Sequence, residues 1–496
     1  MYDHDSAGEK AASATVSAAR SVRIGVLSGI SKLDPRDAVD NISGLVLSQI
    51  FEAPYAIAAG ETAVRPVLFE PLRHDRGLQY SAAVRPGICF SDGTPLTADI
   101  AARSLRGSKV LQSKATIDEH DDRVVFTLTE ANPRFDLTLT QGNTAIVLDK
   151  ALKLCGTGAF MFEQRPNIRL LQGAKSIRLV RNPHYHGQAS VDELQFVVLP
   201  ADAQGNPMLL VDALQKGEVD ITTALSMADL KTYSLSGLTP SMQPGNSTGI
   251  LYFNTERRVL ADAQVRRGIA TALDVHEIAT RSFDKNPAAF VAPSLLPPMM
   301  GRANGIPEFD RAEAKRLLDA SGAKPSRLSL LVPWAPRPYM PKPLLVAQSI
   351  QSQLAEVGIR IELRETKTSD QFFDDLMRGN YDLALGGWIA DTPDPADFFE
   401  ALLWSKNCEG ENHSNDSRWK NETMDAALHR FRATPSEENK REIHRLIAEH
   451  RPLVPLIYGQ SVVVHSRKVR NVTITATGEM SLAGSLLLPG RDRAAV

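Results

Sequence analysis

The stretch GGWIADTPDPADFF, residues 386–399, brings two glycines, a tryptophan and three aspartates into fourteen positions. Trp388 offers a flat apolar face and Asp391 a negative charge. Gly386 and Gly387 permit a close approach that any side chain would block. This set suits recognition better than catalysis. A buried ammonium needs a carboxylate partner, and a charge-assisted hydrogen bond contributes about 1.5–3 kcal/mol. Asp394 and Asp397 read as structural acids, since Asp394-Pro395 is ordinary loop chemistry.

The other chemistry-bearing residues form no reaction centre. The chain has no G-x-S-x-G, no H-E-x-x-H and no cysteine in a catalytic histidine context. Asp92 and Asp99 lie in FSDGTPLTADIAARSL, where Asp92-Gly93 suits a tight turn and Thr97 caps a helix. His184 and His186 stand two apart with no third ligand nearby, whereas zinc sites want three or four. GTGAF, residues 156–160, is not followed by GK[ST] and so is no phosphate loop. Its glycines suit a place where two chain segments approach closely. Cys89, Cys155 and Cys408 are far apart, without metal or disulfide spacing, and read as buried or incidental thiols. No cofactor motif is present.

The elements that must position these residues alternate irregularly between strand and helix. Val22–Gly29, Asp121–Glu130, Ser176–Asn182 and Val191–Pro200 read as strands. Asp310–Ala323 reads as a helix capped by Asp310 and stopped by Gly322. Leu344–Thr366 reads as a helix to Gly358 and then a strand. The segment before the opening stretch repeats this: a helix, a stop at Gly379, and a strand Tyr381–Leu385 that ends at the glycines. The span 305–400 therefore predicts βαβ packing with parallel strands. The span 60–150, richer in short strands and turns, predicts a small α+β unit.

Composition sets the outer bounds. With 496 residues the chain is too long for one core, and two to four compact units are expected. Hydrophobic residues at 43% and charged residues at 23% are globular values. A net charge of −2, from 56 basic and 58 acidic residues, argues against a nucleic-acid partner. No run of about 18 apolar residues occurs, so no transmembrane helix is expected. The first 20 residues are small and polar, with acids where a signal peptide needs basic residues. They read as a disordered lead-in. Either an export signal was removed, or its start lies elsewhere, or the protein stays in the cytoplasm.

Several motifs then fall in one order: SKLDPRDA (31–38), SQIFEAPY (48–55), VRPGICFSDGTPLTADIAARSL (84–105), CGTGAFMFE (155–163), IRLVRNPHYHG (177–187) and LYFNTERRVLADAQVRRGIATALD (251–274). YDLALGGWIADTPDP and RPLVPLIYGQSVVVHS complete the set. Over residues 22–490 the chain resembles the peptide/nickel-type, family 5 solute-binding proteins of ABC importers. The resemblance implies an α/β two-lobed periplasmic-binding-protein clamshell (type II, cluster C-like) with an extra small α+β domain. Carried onto this chain, lobe I takes residues 21–48, 156–246 and 464–496. The extra domain takes 49–155 and lobe II takes 247–463.

The resemblance also implies a site. In the oligopeptide-binding relatives a W-x-A-D segment lies along the cleft, its backbone pairs with extended ligand and its aspartate neutralises the ligand amine. Here those positions are Trp388, Ile389, Ala390 and Asp391. Asn41 would pair with ligand from lobe I. Trp404 and Tyr252, with Trp334 and Trp419 behind them, are the aromatic candidates for side-chain pockets. Leu385 stands where some oligopeptide binders carry an arginine for the ligand carboxylate. The expected protein is thus a non-enzymatic, monomeric, extracytoplasmic receptor. Its partners would be a small peptide or peptide-like ligand and ABC permease subunits. A cytoplasmic ligand-sensing or scaffolding relative is the alternative, and a hydrolase is the reading least favoured by the motifs. Peptide, opine-like conjugate, metal complex and sugar derivative remain open as ligands.

Overall fold

The structure is a computed structural model. It describes residues 20–487 apart from 39, 59–60, 62, 151–152, 165, 203–205, 226, 283–290, 302–307, 336, 338, 391, 411–412, 471, 475–479 and 483–485. The lead-in 1–19 and the last nine residues lie outside that set, as does Asp391.

The elements used below run as follows. Strand β1 (Ser21–Val26) and helix α1 (Asn41–Leu47) begin the chain. Next come β2 (Arg73–Arg76), β3 (Gln79–Ala83), α2 (Ala98–Arg106), β4 (Ala115–His120) and β5 (Arg123–Leu128). The middle holds β6 (Phe160–Phe162), β7 (Ser176–Arg181), β8 (Glu193–Val198), α3 (Met208–Gln215), β9 (Ile221–Thr222) and the long β10 (Leu238–Phe253). After it come α4 (Arg311–Ala320), β11 (Arg327–Val332), α5 (Pro343–Ala355), β12 (Arg360–Glu365) and α6 (Ser369–Met377). The last are β13 (Leu383–Ile389), α7 (Pro395–Leu403) and the long β14 (Leu453–Ser466).

Ten strands form one mixed sheet in the order β6-β7-β8-β1-β9-β14-β10-β13-β11-β12. Its two halves are joined by the two long strands. β10 pairs through Leu238–Pro244 with Gln460–Ser466, and again through Thr248–Tyr252 with Leu453–Tyr458, with a register shift between Pro244 and Thr248. At that shift a Cβ on Gly245 would lie 3.0 Å from the carbonyl oxygen of Gly459. Only glycine lets the two strands meet there without pushing one aside. Beyond it, β11 and β12 run parallel, as do β11 and β13. This is the βαβ arrangement that the span 305–400 predicts.

A separate four-stranded antiparallel sheet, β2-β3-β5-β4, forms with α2 a small unit with its own core of Phe69, Phe90, Leu105, Phe126 and neighbours. Local signals account for much of this. Thr97 accepts from the Ile100 amide at 3.3 Å and starts α2. Gly93 takes φ +83° in the Asp92-Gly93 turn, where Asp92 accepts from the Thr94 amide. Asp310 caps α4 by accepting from the amides of Ala312 and Glu313. Gly322, Gly358 and Gly379 all take positive φ just past a helix.

In GTGAF a Cβ on Gly156 would lie 2.0 Å from the Ile50 carbonyl oxygen, and the Gly158 amide donates to that oxygen at 2.8 Å. The glycines do serve a close backbone approach. His186 meets Glu52 at 2.9 Å, and no group of three or more metal-ligating side chains occurs among the described residues. Among the same residues no helix is long and apolar enough to cross a membrane.

Candidate functional site

Strand β13 does not end at the glycines, as the sequence reading expects, but runs through them to Ile389. Its antiparallel partner β10 holds it along its whole length, from Leu383 opposite Phe253 to Ile389 opposite Ser247. On its other side β11 pairs only at Leu383 and Ala384, then ends at Val332. Pro333 follows and has no N–H with which to continue the ladder. The Ala390 amide donates to the Asn246 carbonyl at 2.9 Å, on the β10 side. Alternation then turns the main-chain groups of Gly386 and Trp388 toward β10, and those of Gly387 and Ile389 the other way. Among the described residues no strand pairs with that second edge beyond Ala384. The result is an open strand edge at the carboxyl ends of the parallel strands.

The glycines are explained first by the chain itself. Gly387 stands directly opposite Gly249. A Cβ on Gly249 would lie 2.7 Å from the Tyr339 carbonyl oxygen. One on Gly387 would lie 2.6 Å from the Tyr339 ring and 2.4 Å from the Thr248 oxygen. The pair seats the loop that carries Tyr339. Gly386 faces the ring of Tyr252, 2.9 Å from where its Cβ would be.

Trp388 is half-buried, and its ring N–H donates to Asp397 Oδ1 at 2.9 Å. The other oxygen of Asp397 accepts from the Thr392 amide at 3.1 Å. Asp394 caps α7 through the Ala396 amide. Both acids are therefore structural, with Asp397 fixing the indole. Ile389 is 44% exposed. Ala390 is buried, and both its main-chain groups are taken by Asn246, whose side-chain amide donates to its carbonyl at 2.6 Å. The Ala390 main chain is thus engaged by Asn246 rather than held free at the strand edge. Asn41 is exposed on the first turn of α1.

Two expected aromatic walls need correction. Tyr252 is fully buried, with its ring in the core beneath Gly386. Trp404 is 5% exposed, packed edge-on against His429 and covered on its face by the Lys406 ammonium at 3.5 Å. Neither ring offers a free face. Trp419 is likewise core, while Trp334 is half-buried beside Phe372 and Phe373.

Two residues escaped the sequence reading. Arg337 lies 4.2 Å over the Trp334 ring and 5.9 Å from that of Phe373. Its loop is closed by mutual amide bonds with Met340, and no carboxylate among the described residues reaches ion-pair distance. A signal existed: in WAPRPY a cation follows an aromatic three positions on, within a proline-rich loop just after a strand. The second is Asp416. Burial pushes its carboxyl up to about 7, with Arg418 pulling the other way. Its surroundings, NHSNDS, read as plain loop.

A sheet of two halves joined by shared long strands, with a small extra domain and an open edge at the carboxyl strand ends, defines a two-lobed clamshell binding protein. Residues 63–409 match bacterial extracellular solute-binding proteins, family 5 Middle, and the chain belongs to that family. It is 25% identical over 252 residues to the peptide transport periplasmic protein SapA of Salmonella typhimurium, covering 49% of this chain and 45% of that one. The match thus spans about half the length of that relative. Di/tripeptide-binding protein 4 of Pseudomonas aeruginosa is 25% identical over 494 residues, 89% of this chain and 90% of that one. The solved structure of HbpA2 from Haemophilus parasuis superposes with a TM-score of 0.83 at 21% identity, over 95% of this chain and all of that one.

Proposed function

We propose that the protein is the extracytoplasmic solute-binding component of an ABC importer, capturing a peptide or peptide-like small ligand between its lobes. The observation that carries this reading is the open β13 edge at Gly387 and Ile389. Extended peptides bind such edges by main-chain hydrogen bonds, with side chains set into pockets. Trp388, locked by Asp397, supplies a fixed apolar wall. Arg337, held on Trp334 with no counter-ion among the described residues, is ready for a ligand carboxylate. Leu385 is fully buried, so the carboxylate clamp passes to Arg337. Asp391 keeps the role that the resemblance gives it, neutralising the ligand amine, and Asn41 approaches from lobe I. The lobes, at 21–48, 156–246 and 464–496 against 247–463, close about the break between Pro244 and Thr248. The closed, monomeric receptor then meets the permease subunits. The name of the di/tripeptide-binding relative supports the ligand class.

The test is mass spectrometry of ligand that co-purifies with the native protein, followed by calorimetric titration. We expect a ligand with a free amine. Asp391→Asn keeps the shape and removes the charge, and removing one member of a buried pair costs about 3–5 kcal/mol, two to four decades in affinity. Acetylating the ligand amine should cost the wild type a similar amount. Equal affinities for wild type and Asp391→Asn, with acetylation still harmful, would remove this residue from the site. A co-purifying ligand with neither amine nor carboxylate would sink the peptide reading.

A further inference from the structure

Beneath Gly386 lies a carboxylate to which no described residue donates a hydrogen bond. A Cβ on Gly386 would be 4.0 Å from Asp416 Oδ2, and 2.9 Å from the Tyr252 ring. Period-two alternation puts Ala384, Gly386, Trp388 and Ala390 on this one face of β13. Gly386, without a side chain, lets the Tyr252 ring pack against the strand and leaves Asp416 close to the backbone, two residues from Trp388 on the same face. The polar groups there are unsatisfied. The Tyr252 hydroxyl is fully buried with no hydrogen-bond partner among the described residues, and so is Nε2 of His413. The ionisation of Tyr252, Tyr339 and Tyr381 is opposed by Asp416 in each case, so all three rings lie within its field.

Asp416 differs from the other enclosed aspartates. Asp220 receives the main-chain amide and guanidinium of Arg23. Asp382 receives the amide and hydroxyl of Ser329. No described residue donates a hydrogen bond to the Asp416 carboxylate. His413 stands 3.6 Å away, but burial and Arg418 push its imidazole below its usual range and so disfavour the charged form. Arg418 is itself engaged by Glu256 at 2.6 Å and by the carbonyls of Met377 and Cys408. The Asp416 side chain nevertheless keeps 14% of its surface. A desolvated carboxylate with unpaired hydroxyl and imidazole neighbours is costly, because each group has lost its hydration without gaining a partner. A ligand cation would relieve it.

We propose that Asp416, with the Tyr252 hydroxyl behind it, forms a side-chain subsite of the peptide site that accepts a basic side chain lying along Trp388. The inference rests on the peptide reading above. The methylene stem of a lysine would cover the indole while its ammonium reaches the carboxylate. The charge read here is that of the side chain, since the ligand amine is assigned to Asp391.

The test uses four dipeptides, Lys-Ala, norleucine-Ala, Ala-Lys and Ala-norleucine, titrated calorimetrically into wild type and Asp416→Asn. Norleucine keeps the stem and the terminal charges and lacks only the side-chain ammonium. The wild type should prefer one lysine peptide over its norleucine partner by at least tenfold. In Asp416→Asn that preference should vanish, with norleucine affinity unchanged within twofold. The wild type alone gives a second arm. Binding the ammonium requires an ionised Asp416, so the preference should widen from pH 6 to pH 8. Of the groups facing it, His413 has its imidazolium disfavoured by burial and Arg418, the tyrosines Tyr252, Tyr339 and Tyr381 are raised by burial, and Arg418, against the pull of burial, is raised by its bond to Glu256 and stays charged. Norleucine peptides that bind as well as lysine peptides, a preference that survives in Asp416→Asn, or a ratio flat with pH would each overturn the subsite and leave the peptide reading intact. Failure of all four peptides to bind would overturn both.

Discussion

The start of α7 and the loop 413–418 each bring an aspartate to the strand that carries Trp388, and the two are built in opposite ways. Asp397 has a donor for each oxygen, the Trp388 ring on one and the Thr392 amide on the other. Asp416 receives none from the described residues and has its carboxyl pushed up to about 7 by burial. The first pattern fixes a wall. The second is one that a folded chain keeps only at a cost, since a buried polar group without partners loses its hydration and gains nothing. Satisfied polar groups mark the scaffold of this site, and the unsatisfied ones mark where a ligand contributes.

Substitutions can break that contrast. The largest effect should come at the scaffold's tightest point. Gly387→Val would drive side-chain atoms into the Thr248 carbonyl and the Tyr339 ring, and should cost about 3 kcal/mol in denaturant unfolding and abolish ligand binding. Asp397→Ala strands the Trp388 N–H and the Thr392 amide, so a loss of about 2 kcal/mol and a rise in Trp388 mobility by fluorescence anisotropy are expected. If Asp397→Ala proved neutral, the indole would not be held as described.

Arg337→Ala should leave unfolding unchanged within about 0.5 kcal/mol, because an arginine stacked at an exposed aromatic edge contributes little to folding. It should weaken a carboxylate-bearing peptide by about tenfold to a hundredfold and leave its amidated form unaffected. Asp416→Asn should move stability the other way from Asp397→Ala. It removes a desolvated charge, and a gain of about 1 kcal/mol in denaturant unfolding is expected at pH 8.

The smallest effect is its pH dependence, and the sign is set by the raised pKa. Between the unfolded value of 3.8 and about 7 the folded state holds a proton that the unfolded state does not, so Asp416 lowers stability as pH rises through that window. The advantage of Asp416→Asn over wild type should grow from pH 4 to 7 and level off above. His444, pushed down to about 4 by burial, has the opposite slope in both proteins and cancels in the difference.

What the sequence made legible was local. The Thr97 and Asp310 caps and the stops at Gly322, Gly358 and Gly379 each depend on neighbours within four residues, and each lies where the pattern puts it. The motif order carried the family and the clamshell. What stayed hidden was non-local. That Gly387 faces Gly249 and a tyrosine from a third segment depends on a pairing across more than 130 positions. That Tyr252 and Trp404 are core depends on what packs over them, which aromatic identity alone does not reveal. Asp416 gave no signal because a carboxylate in NHSNDS looks solvated until the fold encloses it.

The central claim is that the ligand main chain pairs with the free edge of β13, and amide hydrogen exchange resolved to single residues tests it most directly. Without ligand, the amides of Gly386 and Trp388 should exchange slowly, held by β10, while those of Gly387 and Ile389 exchange fast. Saturation with the co-purified peptide should slow Gly387 and Ile389 by at least tenfold and leave the alternate pair unchanged. Gly387 and Ile389 already slow in the empty protein, or unmoved by saturating peptide, would contradict the account.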